Sequence, residues 1–251
     1  MNVNEFVTII MPVHNGEAFV AEAIRSIVEQ SYSKWKLIIV EDGSTDQTFE
    51  IISRFIDERI VVLRNCQAAG VSAARNRGLE YVSTKYIAFL DGDDVWLPNK
   101  LSTQVAVARR LADIDLIISS ASYVIDSLGE IKGVRSHHKA KSYRELYARN
   151  PIILSSAFIS QREPGHIKWV FPDCKHEDLI FWVTLLKSGY THYFLDEKLL
   201  KYRAHASSMT SNKFKSLLWH YKALRFMKLN TTQSIYFVLK NLFSKLREVV
   251  R

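Results

Sequence analysis

The sequence lacks several features that would place it at once in a common class. It has two cysteines, Cys66 and Cys174, which lie far apart and match no metal-binding or redox spacing. Its first twenty residues contain no Lys or Arg, so no signal peptide is expected. No apolar run approaches the ~18 residues that a membrane span requires. These absences predict a cytosolic protein with two reduced thiols and no spanning helix.

Two common nucleotide-binding fingerprints are also missing. No Gly-x-Gly-x-x-Gly follows the first predicted strand, which argues against a dinucleotide-binding fold. No Gly-x-x-x-x-Gly-Lys-Ser/Thr occurs anywhere, which argues against a P-loop nucleotidase. The chain also contains no internal repeat and no low-complexity segment.

The positive charge is concentrated at the carboxyl end. The net charge of the 251 residues is +8, but residues 198–251 contain 12 basic side chains and one acidic side chain. The first 197 residues therefore carry a small negative charge of −3. A basic tail on a mildly acidic body predicts a localised anionic partner such as a membrane surface, and it argues against nucleic acid.

The first ninety residues alternate between strands and helices. Apolar runs predict strands at 7–13, 37–40, 60–63 and 86–90, and helical periodicity predicts helices at 17–30, 49–56 and 70–81. Pro12 is expected to mark a strand end or an edge, and Asn15 can cap the first helix. This alternation predicts right-handed crossovers and a parallel sheet, with four loops gathered at its carboxyl edge.

A helix is expected at 98–112, and the periodicity is weaker from about residue 113 to residue 205. This stretch predicts strands at 115–119, 121–125, 193–196 and 199–203, a β-like apolar run at 152–160 and an exposed loop at 133–140. Another helix is expected to start at residues 176–178.

Three acids follow the fourth predicted strand directly, at Asp91, Asp93 and Asp94. Carboxylates that close together repel one another and lose solvation, so their proximity suggests a cation among them. Because ligands bind at the carboxyl ends of parallel strands, we hypothesise a divalent-metal site that holds a phosphate-bearing ligand. A simple acidic turn is the alternative, since Asp-x-Asp alone is a weak signal.

Two further groups lie far along the chain. Glu177 and Asp178 open a predicted helix, where acids also favour the helix dipole by roughly 0.3–1 kcal/mol. His205 stands just before the basic tail, and a lone histidine is usually structural. The tail itself predicts two amphipathic helices, which could lie in a membrane interface or dock on the body.

Six motifs together resemble family 2 glycosyltransferases with the GT-A fold, of the kind that build bacterial surface polysaccharides and O-antigen. The resemblance covers about residues 7–210. In chain order the motifs are Ile-Met-Pro-Val-His-Asn at 10–15, Val-Glu-Asp-Gly-Ser-Thr-Asp at 40–46, Gly-Val-Ser-Ala-Ala-Arg-Asn-Arg-Gly at 70–78, Phe-Leu-Asp-Gly-Asp-Asp at 89–94, Glu-Asp at 177–178 and Tyr-Arg-Ala-His at 202–205.

The resemblance implies a role for each matching residue. It implies an α/β GT-A domain over residues 1–210, with a nucleotide-binding half at 1–95, an acceptor-binding half at 96–210 and a basic helical tail at 211–251. Asp178 would be the catalytic base. The metal would be held by Asp93 and His205, with Asp91 a further candidate. The donor would be bound by Pro12, His14, Asn15, Asp42, Arg75, Asp91 and Asp93.

The implied reaction is an inverting transfer that depends on Mn²⁺ or Mg²⁺. A hexose would move from a UDP-sugar to a hydroxyl of a lipid-linked or lipopolysaccharide acceptor, on the cytoplasmic face of the bacterial inner membrane. Two alternatives remain: a non-catalytic nucleotide-sugar or saccharide-binding module tethered to the membrane, and a sugar-phosphate nucleotidyltransferase. The nucleotidyltransferase would need a Gly-rich basic loop near the amino terminus, and the sequence has none.

Overall fold

The structure, a computed structural model, describes residues 5–136, 138–163, 169–204 and 213–249. In this part of the chain nine strands form one sheet. The strands are β1 (Val7–Val13), β2 (Trp35–Asp42), β3 (Ile60–Asn65), β4 (Tyr86–Phe89), β5 (Val95–Trp96), β6 (Leu116–Ile125), β7 (Ile131–Arg135), β8 (Phe158–Ser160) and β9 (Thr191–Arg203). The helices are α1 (Val20–Val28), α2 (Thr48–Ile52), α3 (Val71–Leu79), α4 (Lys100–Arg110), α5 (Tyr143–Leu146), α6 (Glu177–Lys187), α7 (Lys213–Phe226) and α8 (Thr231–Val249).

The sheet has the order β3-β2-β1-β4-β8-β6-β9-β5, and β7 pairs with β6 outside this path. Strands β1 to β4 are parallel, as predicted, with β1 between β2 and β4. β8 runs antiparallel to β4 and to β6, so β6 and its parallel neighbour β9 point the same way as β1. The carboxyl ends of six strands therefore meet at one edge, where ligands bind in open α/β sheets.

Both faces of the central strands are buried. In β4, Tyr86 and Ala88 pack into the core that contains α1 and α4, whereas Ile87 and Phe89 pack into the core that contains α6. A Cβ added to Gly78 of α3 would lie 2.6 Å from Cγ2 of Ile10, so this glycine lets α3 approach β1 closely. Burial on both faces explains why these strands appear in the sequence as continuous apolar runs.

Pro12 does not end β1 but lies at a local edge of the sheet, which is the second of the two expected outcomes. It remains in register with Val40 of β2, whereas the β4 pairing of β1 stops at Ile10. The Ile10 carbonyl accepts a hydrogen bond from the backbone N–H of Leu90, which directly follows β4. Pro12 lies two residues further along β1, so its backbone nitrogen faces the same side. β4 has already ended there, and the missing N–H of Pro12 interrupts no ladder.

Several predicted elements were wrong in extent. The run at 115–125 is one strand, β6, and the run at 191–203 is one strand, β9, because their pairing continues through a register shift near Ser120. The first helix begins at Val20, and Asn15 does not cap it. Only three residues of the β-like run at 152–160 form a strand, since a 3₁₀ turn occupies Leu154–Ser156.

The predicted loop at 133–140 contains much of strand β7. β7 pairs with the end of β6, and nearly all of its side chains are exposed. A strand without a buried face has no apolar alternation, so periodicity could not reveal it.

The two tail helices dock on the body. His220 Nε2 lies 2.9 Å from the carbonyl oxygen of Tyr147, and Asn241 Nδ2 donates to the carbonyl of Ala148 at 2.6 Å. The docked side of the tail contributes Ala223 to the core around α6. The two helices therefore pack on the body, and the membrane contact of the tail stays a prediction.

Docking leaves a second apolar stripe of α8 uncovered by the described residues. Its exposed members are Ile235, Tyr236, Leu239 and Phe243. The described residues include no helix that is long and apolar enough to cross a membrane.

Candidate functional site

The first two loops of the carboxyl edge are hydrogen-bonded to each other. His14, which follows β1, lies with Nδ1 2.8 Å from the carbonyl oxygen of Asp42. Asn15 adopts a left-handed conformation with φ 49°. In that conformation its backbone N–H donates to Ser44 at 3.0 Å and its side-chain oxygen accepts from Thr45 at 2.9 Å. Asn15 therefore connects the two loops instead of capping α1.

Asp42 is buried at the end of β2 and organises the third loop of the carboxyl edge, at residues 65–70. Its Oδ1 accepts from the side chain of Asn65 at 2.6 Å and from the N–H of Ala69 at 2.9 Å, and its Oδ2 accepts from the N–H of Gly70 at 2.8 Å. A carboxylate can accept about four hydrogen bonds, and the described residues occupy three of these positions on Asp42.

Gly43 allows this loop to pack closely. Its φ is +65°, and an added Cβ would lie 2.6 Å from the backbone nitrogen of Ala68. A side chain at Gly43 would therefore displace the loop that Asp42 holds.

The acidic turn after β4 has one buried and two half-buried carboxylates. Asp94 is buried and accepts from the backbone N–H of Arg203 at 2.8 Å. Burial raises the pKa of Asp94 well above its usual range, and the charges of Asp93 and Asp91 raise that pKa further. Asp94 thus anchors the turn, whereas Asp91 and Asp93 remain accessible at the edge.

A buried arginine connects this turn to α6. Arg75 of α3 donates from Nη2 to Asp91 at 2.7 Å and from Nη1 to Glu177 at 2.6 Å. Its Nε has no hydrogen-bond partner among the residues that the structure describes, although the side chain is almost fully buried. The structure thus places Arg75 between two carboxylates, and its predicted contact with a donor stays a prediction. Glu177 was not predicted as a site residue.

Asp178, the predicted base, lies in the first turn of α6. The side-chain nitrogen of Asn150 donates to its Oδ2 at 2.9 Å. Burial, and then the negative charge of Glu177, raise the pKa of Asp178 to about 6, while His176 and Arg75 oppose the rise. A carboxylate of this basicity can accept a proton near neutral pH.

The predicted metal ligands fit a hard divalent cation in their chemistry. Asp91 and Asp93 present carboxylate oxygens, which Mg²⁺ and Mn²⁺ prefer. After burial, the charges of Asp93 and Asp91 raise the pKa of Asp94 further, so these carboxylates lie close enough to interact. Among the residues that the structure describes, no group of three His, Cys, Asp or Glu side chains is arranged around one point. His205 lies outside the described residues.

Arg203 holds the site together, and the sequence did not assign it a role. Its buried guanidinium donates to the carbonyl of Asp93 at 2.7 Å, to the carbonyl of Asp126 at 3.0 Å and to the side chain of Glu22. The acidic turn, α1 and the β6–β7 turn are therefore fixed to one side chain. Its position beside His205 in the sequence was the only available signal.

Comparison with protein families and relatives agrees with this arrangement. A family model described as glycosyl transferase family 2 matches residues 8–160. An Escherichia coli protein named UDP-Glc:alpha-D-GlcNAc-diphosphoundecaprenol beta-1,3-glucosyltransferase WfgD is 32% identical over 237 residues, which cover 93% of this chain and 90% of the relative.

Two solved structures have a similar fold. S. aureus TarS 1–349 in complex with UDP-GlcNAc superposes with a TM-score of 0.69 at 16% identity, covering 94% of this chain and 71% of that chain. The mannosyltransferase PcManGT from Pyrobaculum calidifontis, in complex with GDP-Man and Mn²⁺, gives a TM-score of 0.64 at 16% identity, covering 93% of this chain and 68% of that chain.

Proposed function

The chain belongs to glycosyltransferase family 2 and has the GT-A fold, and from this premise we propose that it transfers a hexose from a UDP-sugar to a lipid-linked or lipopolysaccharide saccharide. The relative WfgD supports both partners, because its name gives UDP-glucose as donor and a diphosphoundecaprenol-linked sugar as acceptor. The family match also favours a transferase over the binding-module and nucleotidyltransferase alternatives.

Asp178 is the proposed base, and its raised pKa is the observation that carries the mechanism. Asn150 orients the carboxylate by donating to one of its oxygens. The other oxygen accepts the proton of the acceptor hydroxyl, whose oxygen attacks the anomeric carbon while UDP leaves with the bonding electron pair. This single displacement inverts the anomeric configuration.

The proposed donor site comprises the loops at the carboxyl edge of β1 to β4. Asp42 has one acceptor position that no described residue occupies, which suits the N–H of a uracil. His14 and Asn15 would line the same pocket beside Pro12, with Asp91 and Asp93 at the diphosphate end. Arg75 would support this end through Asp91.

Asp93 and His205 would hold a Mn²⁺ or Mg²⁺ ion, with Asp91 as a further candidate. When bound, such an ion neutralises the charge of the departing diphosphate. The donor set of carboxylate and imidazole suits either ion, and manganese tolerates imidazole better.

The proposed domain division separates donor and acceptor. Residues 1–95 would bind the donor, residues 96–210 would bind the acceptor, and residues 211–251 would contact the cytoplasmic face of the membrane. The uncovered stripe of α8 supports this contact, because exposed apolar side chains on a helix of a tail with a large excess of basic residues suit an anionic bilayer.

Thermal stabilisation by nucleotides tests the donor assignment. We expect UDP with Mn²⁺ to raise the melting temperature more than GDP, CMP or ADP, and to lose most of this effect without the metal. The variant Asp178→Asn should keep the UDP effect and lose turnover. Stabilisation by GDP alone would change the donor class, and no stabilisation by any nucleotide would refute the proposed site.

Sedimentation with anionic vesicles tests the membrane contact. The double variant Ile235→Glu with Leu239→Glu should lose most binding to phosphatidylglycerol vesicles, because it places two charges on the uncovered stripe. The control is Ile56→Glu, which adds a charge at an aliphatic residue of the donor half that is 98% exposed. Equal binding of the wild type and the double variant would refute this contact.

A further inference from the structure

The tail helices contact the part of the chain that holds the proposed base. Residues 147–150, which we call the orienting segment, follow α5 and belong to no helix or strand. At the end of this segment, Asn150 donates from Nδ2 to Oδ2 of Asp178 at 2.9 Å, and its Oδ1 accepts from the backbone N–H of Ile152 at 3.0 Å. Both ends of the amide are engaged, so its orientation depends on the path of the backbone through the orienting segment.

Two side chains of the tail bind consecutive carbonyls of the orienting segment. His220 of α7 lies with Nε2 2.9 Å from the carbonyl oxygen of Tyr147, and a carbonyl can only accept, so Nε2 is the donor. Asn241 of α8 donates from Nδ2 to the carbonyl of Ala148 at 2.6 Å. All four residues are buried. Because water has little access to these carbonyls, losing either donor is costly and displaces the backbone that carries them.

α7 also contacts the residue that precedes α6. His176 has a left-handed backbone with φ 61°, and its Nε2 lies 3.3 Å from the carbonyl oxygen of Ser216 in α7. Its ring meets that of His220 edge to face, with the centroids 5.9 Å apart. Asp178 lies two residues further on. The base is therefore supported by α7 at the start of its own helix, and by both tail helices through the segment that ends in Asn150.

Apolar contacts also dock the tail, but they do not fix the orienting segment in the same way. Leu229 is buried in the core around α6, and the ring of Phe237 packs edge to face on Tyr147 with the centroids 5.4 Å apart. Such contacts tolerate small shifts, whereas hydrogen bonds are directional. The bonds from His220 and Asn241 thus determine where the two carbonyls lie and how they are oriented.

We propose that His220 and Asn241 are positioning residues, which hold the orienting segment so that Asn150 binds one oxygen of Asp178 and leaves the other directed at the acceptor hydroxyl. This inference rests on the proposed function and adds the tail to the apparatus that transfers the sugar. The tail can serve this purpose and the proposed membrane contact together, because α8 has Asn241 on its docked side and the apolar stripe on its uncovered side.

The first test measures transfer from UDP-glucose to octyl GlcNAc α-diphosphate. Asn241→Leu keeps a similar side-chain volume and removes the donor. We expect it to lower kcat at least about tenfold and to change the KM of UDP-glucose by less than about twofold, because the base is displaced and the donor site is not. His220→Leu should act in the same way, whereas His220→Gln, whose amide nitrogen can replace Nε2, should recover most of kcat. Wild-type kcat in both Leu variants would overturn the proposal.

The matched control separates positioning from simple loss of stability. Leu229→Ala removes buried apolar contacts at the connection between α7 and α8, and it removes none of the hydrogen bonds to the orienting segment. It should lower the melting temperature at least as much as Asn241→Leu and leave kcat within about twofold of the wild type. Equal losses of kcat in these two variants would show a merely structural role and overturn the proposal.

A second measurement needs no substrate. The bond from Asn150 favours the charged form of Asp178, so its loss should raise the pKa of Asp178 further above about 6. The destabilisation caused by Asn241→Leu should therefore grow between pH 5 and pH 8 in urea denaturation, and this growth should vanish when both proteins carry Asp178→Asn. The charged groups that act on Asp178 are the same in both proteins: Glu177, His176 and Arg75. A destabilisation that is equal at every pH would overturn the proposal.

The variant Asp178→Asn distinguishes the two possible failures. If it is inactive while Asn241→Leu behaves as the wild type in both measurements, the positioning role is wrong and the proposed function stands. If Asp178→Asn retains full turnover, or if UDP does not stabilise the wild type, the proposed function itself is refuted.

Discussion

Replacing Asp178 with Asn should make the protein inactive and, at neutral pH, more stable. The isosteric amide can still accept from Asn150, so the geometry is retained, whereas the charge that burial opposes is removed. We expect kcat to fall by about 10²–10⁴-fold, the usual contribution of a general base. In the wild type, turnover should fall about tenfold per pH unit below pH 6, because protonated Asp178 cannot accept a proton.

The stability difference follows from the two pKa values of this group. Folding raises the pKa of Asp178 from 3.8 to about 6. The protonated Asp178 carboxyl therefore contributes stability that is fully present below pH 4 and is lost as pH rises through 6. In the unfolded chain this carboxyl ionises freely, whereas in the folded chain its ionisation costs free energy. At about 1.36 kcal/mol per pKa unit, the advantage of the variant should grow from about 1.6 kcal/mol at pH 5 to about 3 kcal/mol at pH 7.5.

Urea denaturation at a series of pH values from 5 to 8 measures this difference. Contributions of the substitution that do not depend on pH cancel, so the growth of about 1.4 kcal/mol between pH 5 and 7.5 is the informative quantity. The matched control is Asp173→Asn, at an exposed carboxylate of the preceding loop, for which we expect no growth. A constant difference for Asp178→Asn would refute the argument that burial raises its pKa.

Two further predictions concern the support of the site. Arg75→Met leaves Glu177 buried without its partner and should lower the free energy of unfolding by about 3–5 kcal/mol in urea denaturation. Arg109→Met breaks an exposed ion pair and should cost below about 1 kcal/mol; equal losses would contradict a buried charge network. Gly43→Ala should displace the loop that Asp42 holds, and it should therefore weaken the stabilisation by UDP. Gly129→Ala, with φ +85° and open space around the added Cβ, should cost about 1–2 kcal/mol of stability and leave the UDP effect intact.

The parallel strands β1 to β4 could be predicted because their signals are local. Continuous apolar runs identify strands buried on both faces, and each run ends in polar turn residues such as Asn15 and Asp42. Parallel crossovers then place those ends at one edge without further information. Six motifs in order supplied the family, although no single one of them could have done so.

The remaining features depend on contacts between distant parts of the chain. The Arg75–Glu177 ion pair joins residues 102 positions apart, and the bond from Arg203 to Asp93 joins residues 110 positions apart. Neither contact can be predicted from the spacing of residues along the sequence. β7 was missed for a different reason, since an exposed strand leaves no apolar period.

Strand β8 is a narrow connection in the sheet. It has three residues, and through three register pairs on each side it joins β4 of the proposed donor half to β6 of the proposed acceptor half. A recombination event at this seam has to preserve few backbone pairings. It also has to preserve the Arg75–Glu177 pair, the bonds of Arg203 to Asp93 and Glu22, and the core that α1 and α4 share, all of which cross the seam. We therefore expect the two halves to be exchangeable between relatives that keep these contacts, so that donor and acceptor preferences can be inherited separately. Among surface-polysaccharide enzymes, such exchange would generate new sugar linkages without a new fold.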